Sequence, residues 1–404
     1  MANMLDYIRE YGSLSLNELP FTPVDNLILA QLAYCGWGQN FCEGASETRL
    51  LPSKLGLLAQ PKQLAKLTLP GGLIKYASVK QQEFGVLADE NKELFNLAAA
   101  SRRFKDATAA LNYSVLNPGE TLQFSAVTFI LDDGSAYVAF RGTDSTLVGW
   151  KEDFNLALSK PVPAQLTAVK YIENVAYTVR RPLRVGGHSK GGNLAVYAAA
   201  MCQSDTQKRI TEVYSNDGPG QYSATLKTPG YKQIKSRIRQ FVPSSSIVGM
   251  LLESDCHARV VESSAAFLKQ HNPYTWLVDG ADFVYAQSTS LTSRLASDSL
   301  RLWLEDMPQQ KKQALIDIVF YILEAGGAQT LKQLKQEPLR LLPVLGSVLL
   351  LDRSEKRLLE ELAVKLAKAA LEGCGDNAQE LKSELKERET SIKEKLNAVL
   401  GFLK

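Results

Sequence analysis

Leu183-Arg184-Val185-Gly186-Gly187-His188-Ser189-Lys190-Gly191-Gly192-Asn193-Leu194-Ala195 is the stretch from which the rest of the chain can be read. It holds G-x-S-x-G as Gly187 to Gly191, behind a short β-rich run (Leu183–Gly186) and ahead of an alanine-rich helical run (Gly191–Cys202). The pattern alone is common by chance; its strand-to-helix setting is what carries meaning. A serine on such a turn takes a strained backbone, and small residues two before and two after let strand and helix close up. The helix start then turns unpaired N–H groups and a positive dipole end toward a developing oxyanion. Ser189 is therefore the candidate nucleophile of an acyl transfer. His188, adjacent to it, points away on such a turn and reads as a buried structural histidine.

Outward from this turn, strands and helices alternate. Phe124–Leu131 and Ala136–Arg141, joined by Asp132-Asp133-Gly134-Ser135, read as a hairpin. Ala164–Val179 has helical spacing, and Ile210–Ser215, Ile238–Val242 and Ala258–Glu262 read as strands. That order predicts a mainly parallel sheet with helical crossovers, an α/β body over residues 110–290. Residues 1–110 read as mainly helical, with helices after Asp25-Asn26 and over Asp89–Phe104 and a loop at Leu69–Leu73. Residues 290–404 read as a helical extension or cap, through Leu300–Glu324, Leu331–Leu334, Glu355–Leu371 and a charged amphipathic helix over Asn377–Leu403. This extension and the segment 50–85 are the places to look for a cover over an acyl pocket.

Composition narrows the function classes. Of 404 residues 45% are hydrophobic and 22% charged, an ordinary soluble balance, and 46 basic against 43 acidic residues give +3, no reason to expect nucleic acid. Cys35, Cys42, Cys202, Cys256 and Cys374 are scattered, which argues against disulfides and zinc. No metal-ligand spacing and no phosphate-cradling loop occurs, so no cofactor is expected. The apolar run Leu341–Leu351 contains Pro343 and Gly346 and is far short of the roughly 20 residues of a membrane span. The N-terminus lacks an apolar signal-peptide region, and a cytoplasmic protein is expected.

Ala139-Phe140-Arg141-Gly142-Thr143-Asp144-Ser145, with Trp150, Asp153 and the GHSKGG turn, resembles the fungal-type (class 3) lipases. The opening DYIREYGSLSLNELPFTPVDNLILAQLAY, SNDGPG at 215–220 and QHNPYTW at 270–276 resemble more closely the Mbeg-like bacterial α/β-hydrolases. The likeness covers about residues 1–290. It implies the α/β-hydrolase fold, with a helical N-terminal region, a helical C-terminal extension and an esterase- or lipase-like small-molecule acyl ester as substrate. By the same likeness Thr143 is the oxyanion-hole residue, contributing its backbone N–H and its hydroxyl. The second donor is the backbone N–H of Lys190, the residue after the nucleophile. The lipases usually carry leucine there; the lysine side chain is either a cation favouring an anionic substrate or a solvated or locally paired group.

In this fold the base follows the last strand. His271 stands there and matches the QH-x-P-x-x-W pattern, whereas His257 sits at the wrong end of its strand. The lipases place the acid after the penultimate strand, where this chain has Ser246 in Phe241–Gly249. Asp217, in Ser215-Asn216-Asp217-Gly218-Pro219, is the substitute, although that stretch is also a strong turn by itself. Glu253 and Asp255 are weaker candidates. Two further readings stand beside a Ser189–His271–Asp217 hydrolase. One is a binding or scaffold protein that keeps the fold without turnover, and the other is a lipase held at a membrane by Leu341–Leu351.

Overall fold

A computed structural model describes residues 2–37, 87–156, 161–246, 248–289, 307–330, 333 and 341–361. Strands β1 (Thr108–Asn117), β2 (Leu122–Ile130) and β3 (Ala136–Phe140) form an antiparallel meander. From β3 onward β4 (Leu183–His188), β5 (Ile210–Asn216), β6 (Ile238–Pro243) and β7 (Ala258–Val261) run parallel. After the small hairpin β8 (Val278–Asp279) and β9 (Asp282–Phe283), β10 (Tyr285–Ala286) closes the far edge antiparallel to β7. The main sheet has eight strands in the order β1-β2-β3-β4-β5-β6-β7-β10.

Helices cover both faces, as a parallel sheet requires. Helices α1 (Met4–Tyr11), α2 (Pro23–Leu32) and α3 (Ala88–Ala100) pack on the face that carries Phe129, Tyr137, Ala139, Tyr214 and Phe241. After α4 (Leu147–Leu156), helices α5 (Pro163–Thr178) and α6 (Lys190–Met201) pack on the other face, against Val138, Phe140, Val185 and Val213. Further along, α7 (Ser204–Arg209), α8 (Ser223–Leu226) and α9 (Pro229–Ile234) complete the crossovers from β4 to β6, with Tyr231 and Ile234 of α9 buried in the same layer. The two-residue side-chain period of β3 deals its apolar residues to both layers. This is an α/β fold with a mainly parallel central sheet, as the expected α/β-hydrolase architecture requires.

Helix α2 begins with a Thr22–Asp25 capping box and Pro23 in its first turn. Asp25 also pairs with Arg103, both side chains fully buried, which ties the start of α2 to the chain leading into β1. Strand β1 is absent from the reading of the sequence. Its register shifts between Ala110 and Tyr113, with Leu111 at φ 53°, and such a bulge breaks the alternation that marks a strand.

In the C-terminal part, α10 (Gln309–Ala325) lies against α4. Phe320 meets Phe154 edge-on at 5.7 Å, Lys151 and Asp317 are 4.0 Å apart, and the Leu147 N–H donates to Gln329 O at 2.9 Å. The expected helix Leu300–Glu324 is thus present from Gln309. Leu341–Leu351 is the helix α11 (Leu341–Leu350), with Leu350 largely exposed. Among the described residues no helix is long and apolar enough to cross a membrane. Residues 353–361 are helical. The segment 50–85, the loop Leu69–Leu73, most of Leu331–Leu334, the rest of Glu355–Leu371 and Asn377–Leu403 lie outside the described residues.

Candidate active site

Ser189 sits between β4 and α6 at φ 58°, ψ −132°, a conformation that non-glycine residues avoid. The surroundings hold it there. Its N–H donates to Asn216 O at 3.0 Å and its carbonyl accepts from the Gly192 N–H at 2.9 Å. A Cβ on Gly187 would collide with the Gly191 backbone, and one on Gly191 with the Phe140 carbonyl, so both glycines of the motif are required by close approach. Beneath the turn, Asn216 Nδ2 donates to Gly187 O at 3.1 Å, and Asn26 Nδ2 of α2 donates to Asn216 Oδ1 at 2.8 Å. The Tyr137 hydroxyl donates to Asn26 Oδ1 at 2.7 Å. This buried amide network, with no sequence signal beyond isolated asparagines, ties α2, β3, β4 and β5 together below the serine.

On one side of Ser189, Asp217 and His271 come together. Asp217, buried and at φ 48° just past β5, accepts from His271 Nδ1 at 2.6 Å. Its other oxygen accepts from the Ser246 hydroxyl and, at 3.1 Å, from the Gly249 N–H. Ser246, which the lipase resemblance sets at the acid's position, is therefore a hydrogen-bond donor to Asp217. His271, partly exposed, ends a short 3-10 helix (Phe267–His271). His188 Nε2–H donates to the His271 carbonyl at 2.9 Å, and the two rings lie 4.7 Å apart. Burial, and then the nearby His271 ring, pushes the His188 pKa well below its ordinary value, so His188 is neutral. Among the described residues the Ser189 hydroxyl makes no hydrogen bond to His271. His257 is exposed ahead of β7. Asp255 is paired with Lys235 at 2.7 Å, and Glu253 is exposed.

On the other side lies the loop after β3. Gly142 packs so closely on His188, Ser189 and the Tyr34 hydroxyl that no side chain fits, and the Tyr34 hydroxyl donates to His188 O at 3.5 Å. Among the described residues neither the Thr143 nor the Lys190 backbone N–H has an acceptor. The Thr143 hydroxyl donates to Asp153 Oδ2. The Lys190 side chain is 1% exposed and its Nζ lies 3.0 Å from Glu152 Oε2, so it is a buried ion pair. That overturns the reading of this lysine as a cation facing an anionic substrate: its charge is taken up in the core by Gln123 and Glu152. Asp153 belongs to the lipase-like pattern, whereas Glu152 carries no sequence signal, because a buried charge shows its purpose only through a tertiary contact. Burial, opposed by Lys190 and by the Thr143 hydrogen bond, raises the Asp153 pKa to about 6. Among the described residues no group of histidine, cysteine and carboxylate side chains could hold a metal ion.

Known proteins supply a family and a distant fold likeness. Rhizomucor miehei lipase, solved as a complex with its propeptide, is 17% identical over 46% of this chain, with a TM-score of 0.30. The match covers 64% of that lipase, so the chain spans less than two thirds of its length. M37 lipase is 13% identical over 48% of this chain and 70% of its own, also at a TM-score of 0.30. No curated protein matches. The sequence model of the Mbeg1-like family matches residues 98–321, which include β1 through β10 and every residue placed around Ser189 except Asn26 and Tyr34. With more than half of its length matched, the chain belongs to the Mbeg1-like family.

Proposed function

We propose that the protein is a serine hydrolase that cleaves a small-molecule carboxylic ester through an acyl-enzyme on Ser189. Ser189 Oγ attacks the ester carbonyl while His271 Nε2 takes its proton, and the N–H groups of Thr143 and Lys190 hold the oxyanion. Collapse breaks the bond to the alkoxide, which leaves as the alcohol with the proton from His271. Water, deprotonated by His271, then releases the acid and restores the serine. Asp217 keeps the imidazole in the tautomer with the proton on Nδ1. The observation that carries this reading is the strained Ser189 beside an Asp217–His271 pair at 2.6 Å. Unpaired Cys35, Cys202 and Cys256 suit the reducing cytoplasm as its location.

A scaffold reading rests on one observation, the missing Ser189–His271 hydrogen bond. In unliganded sites that bond is often long and tightens only with substrate. Turnover of p-nitrophenyl esters of increasing acyl length separates the two. The hydrolase reading expects release of p-nitrophenol by wild type and none above background by Ser189→Ala, and equal rates for both proteins would favour the scaffold.

A further inference from the structure

The buried charges behind the oxyanion loop do more than fill space. The three donors of the Lys190 ammonium are all used: Gln123 O at 3.0 Å, Gln123 Oε1 at 2.7 Å and Glu152 Oε2 at 3.0 Å. Glu152 in turn accepts from the Gln123 N–H at 3.0 Å and the Ala164 N–H at 2.8 Å, which joins β2, α4, α5 and α6 at one point. Asp153, next along α4, gets no hydrogen bond from Lys190 but lies in its field, Oδ1 to Nζ being 3.8 Å. Among the described residues that Oδ1 is buried without a partner, while Oδ2 holds the Thr143 hydroxyl.

We propose that the Lys190 side chain is a positioning group of the oxyanion hole: its buried ammonium locks α4 to β2 and sets the charge on Asp153, which decides where the Thr143 hydroxyl points its proton. The proposal rests on the hydrolase reading for its purpose, though not for its geometry. When Asp153 is ionised, the Thr143 hydroxyl donates to it, and the oxyanion has two backbone donors. When Asp153 is protonated, its O–H donates to Thr143 Oγ1, and the Thr143 proton turns to the oxyanion as a third donor. Lys190 favours the first state; burial and the like charge of Glu152 favour the second. The other titratable or charged groups near this cluster are His271 from the loop after β7 and the Arg141–Asp144 pair of the oxyanion loop itself. On the far side of α4, Asp317 of α10 is taken up by Lys151.

The test follows the Asp153 carboxylic C=O band by infrared titration of the full chain, assigned by its loss in Asp153→Asn. Lys190→Met combined with Glu152→Gln removes both buried charges together and so leaves neither unpaired. In that pair the Asp153 midpoint should move up, by about one pH unit or less because the two removals oppose each other. Glu152→Gln alone keeps Lys190 and removes the like charge, so its midpoint should move down; this second variant decides the matter if the pair does not fold. Midpoints unchanged in the variants that fold would overturn the proposal. The rate of fluorophosphonate labelling at Ser189, followed against pH, reads the consequence: Asp153→Asn should erase the component that titrates with Asp153. Shifted midpoints in a protein that never labels would leave the positioning of Asp153 standing and remove the hydrolase reading. Labelling with unmoved midpoints would do the reverse.

Discussion

The two flanks of Ser189 are built from different chemistry. On the histidine flank, Asp217 is satisfied by the Ser246 hydroxyl, the Gly249 N–H and His271, and the neutral His188 ring steadies the His271 backbone. On the proposed oxyanion flank, Lys190 and Glu152 are buried together with Asp153 partly buried beside them, and one acidic oxygen lacks a hydrogen-bond partner. The first arrangement fixes a geometry, because both oxygens of the buried carboxylate are held by hydrogen-bond donors. The second leaves a charge balance that a proton can shift.

The flanks therefore answer pH in opposite senses. His188 has a folded pKa below its ordinary 6.5, so its contribution to stability is present above that value and is lost as pH falls. Asp153 has a folded pKa of about 6 against an ordinary 3.8, so its contribution is present below 3.8 and is lost as pH rises through about 6.

Breaking the histidine flank should have the largest effect. Asp217→Asn should slow acylation of Ser189 about 10⁴-fold with the fold retained, since the amide stabilises the wrong imidazole tautomer; stopped-flow labelling measures it. Breaking the oxyanion flank with Lys190→Met alone strands Glu152 in the core and should cost about 3–5 kcal/mol in urea unfolding. Ser246→Ala removes one donor to the Asp217 carboxylate and should lower the labelling rate about tenfold. The smallest effect sharpens the pH contrast. Relative to wild type, Asp153→Asn should gain about a few degrees in thermal midpoint between pH 4 and pH 7, because it removes a group that resists ionisation when folded.

Most of the fold was legible because it is periodic. The hairpin of β2 and β3, the parallel strands β4 to β7 and helices α5 and α6 all fall within a few residues of their expected limits. The bulge in β1 and the two-residue strands β8 to β10 carry too little alternation to be seen. At the site, the backbone turn at Ser189 follows the glycine spacing, and His271 lies after β7 where the sequence set it, paired with Asp217. What could not be read depends on contacts between distant segments. Asn26 reaches Asn216, Lys190 reaches Gln123 and Glu152, and Ser246 turns to Asp217 instead of replacing it. A lysine in a glycine-rich turn gives no sign that its head lies in the core rather than in water.

Fluorophosphonate labelling of the full chain, with the modified peptide located by mass spectrometry, tests the central claim most directly. The account predicts a single adduct on Ser189 in wild type, none in Ser189→Ala, and loss of nearly all labelling in folded His271→Ala. A folded wild type that stays unlabelled, or an adduct on another residue, would contradict it.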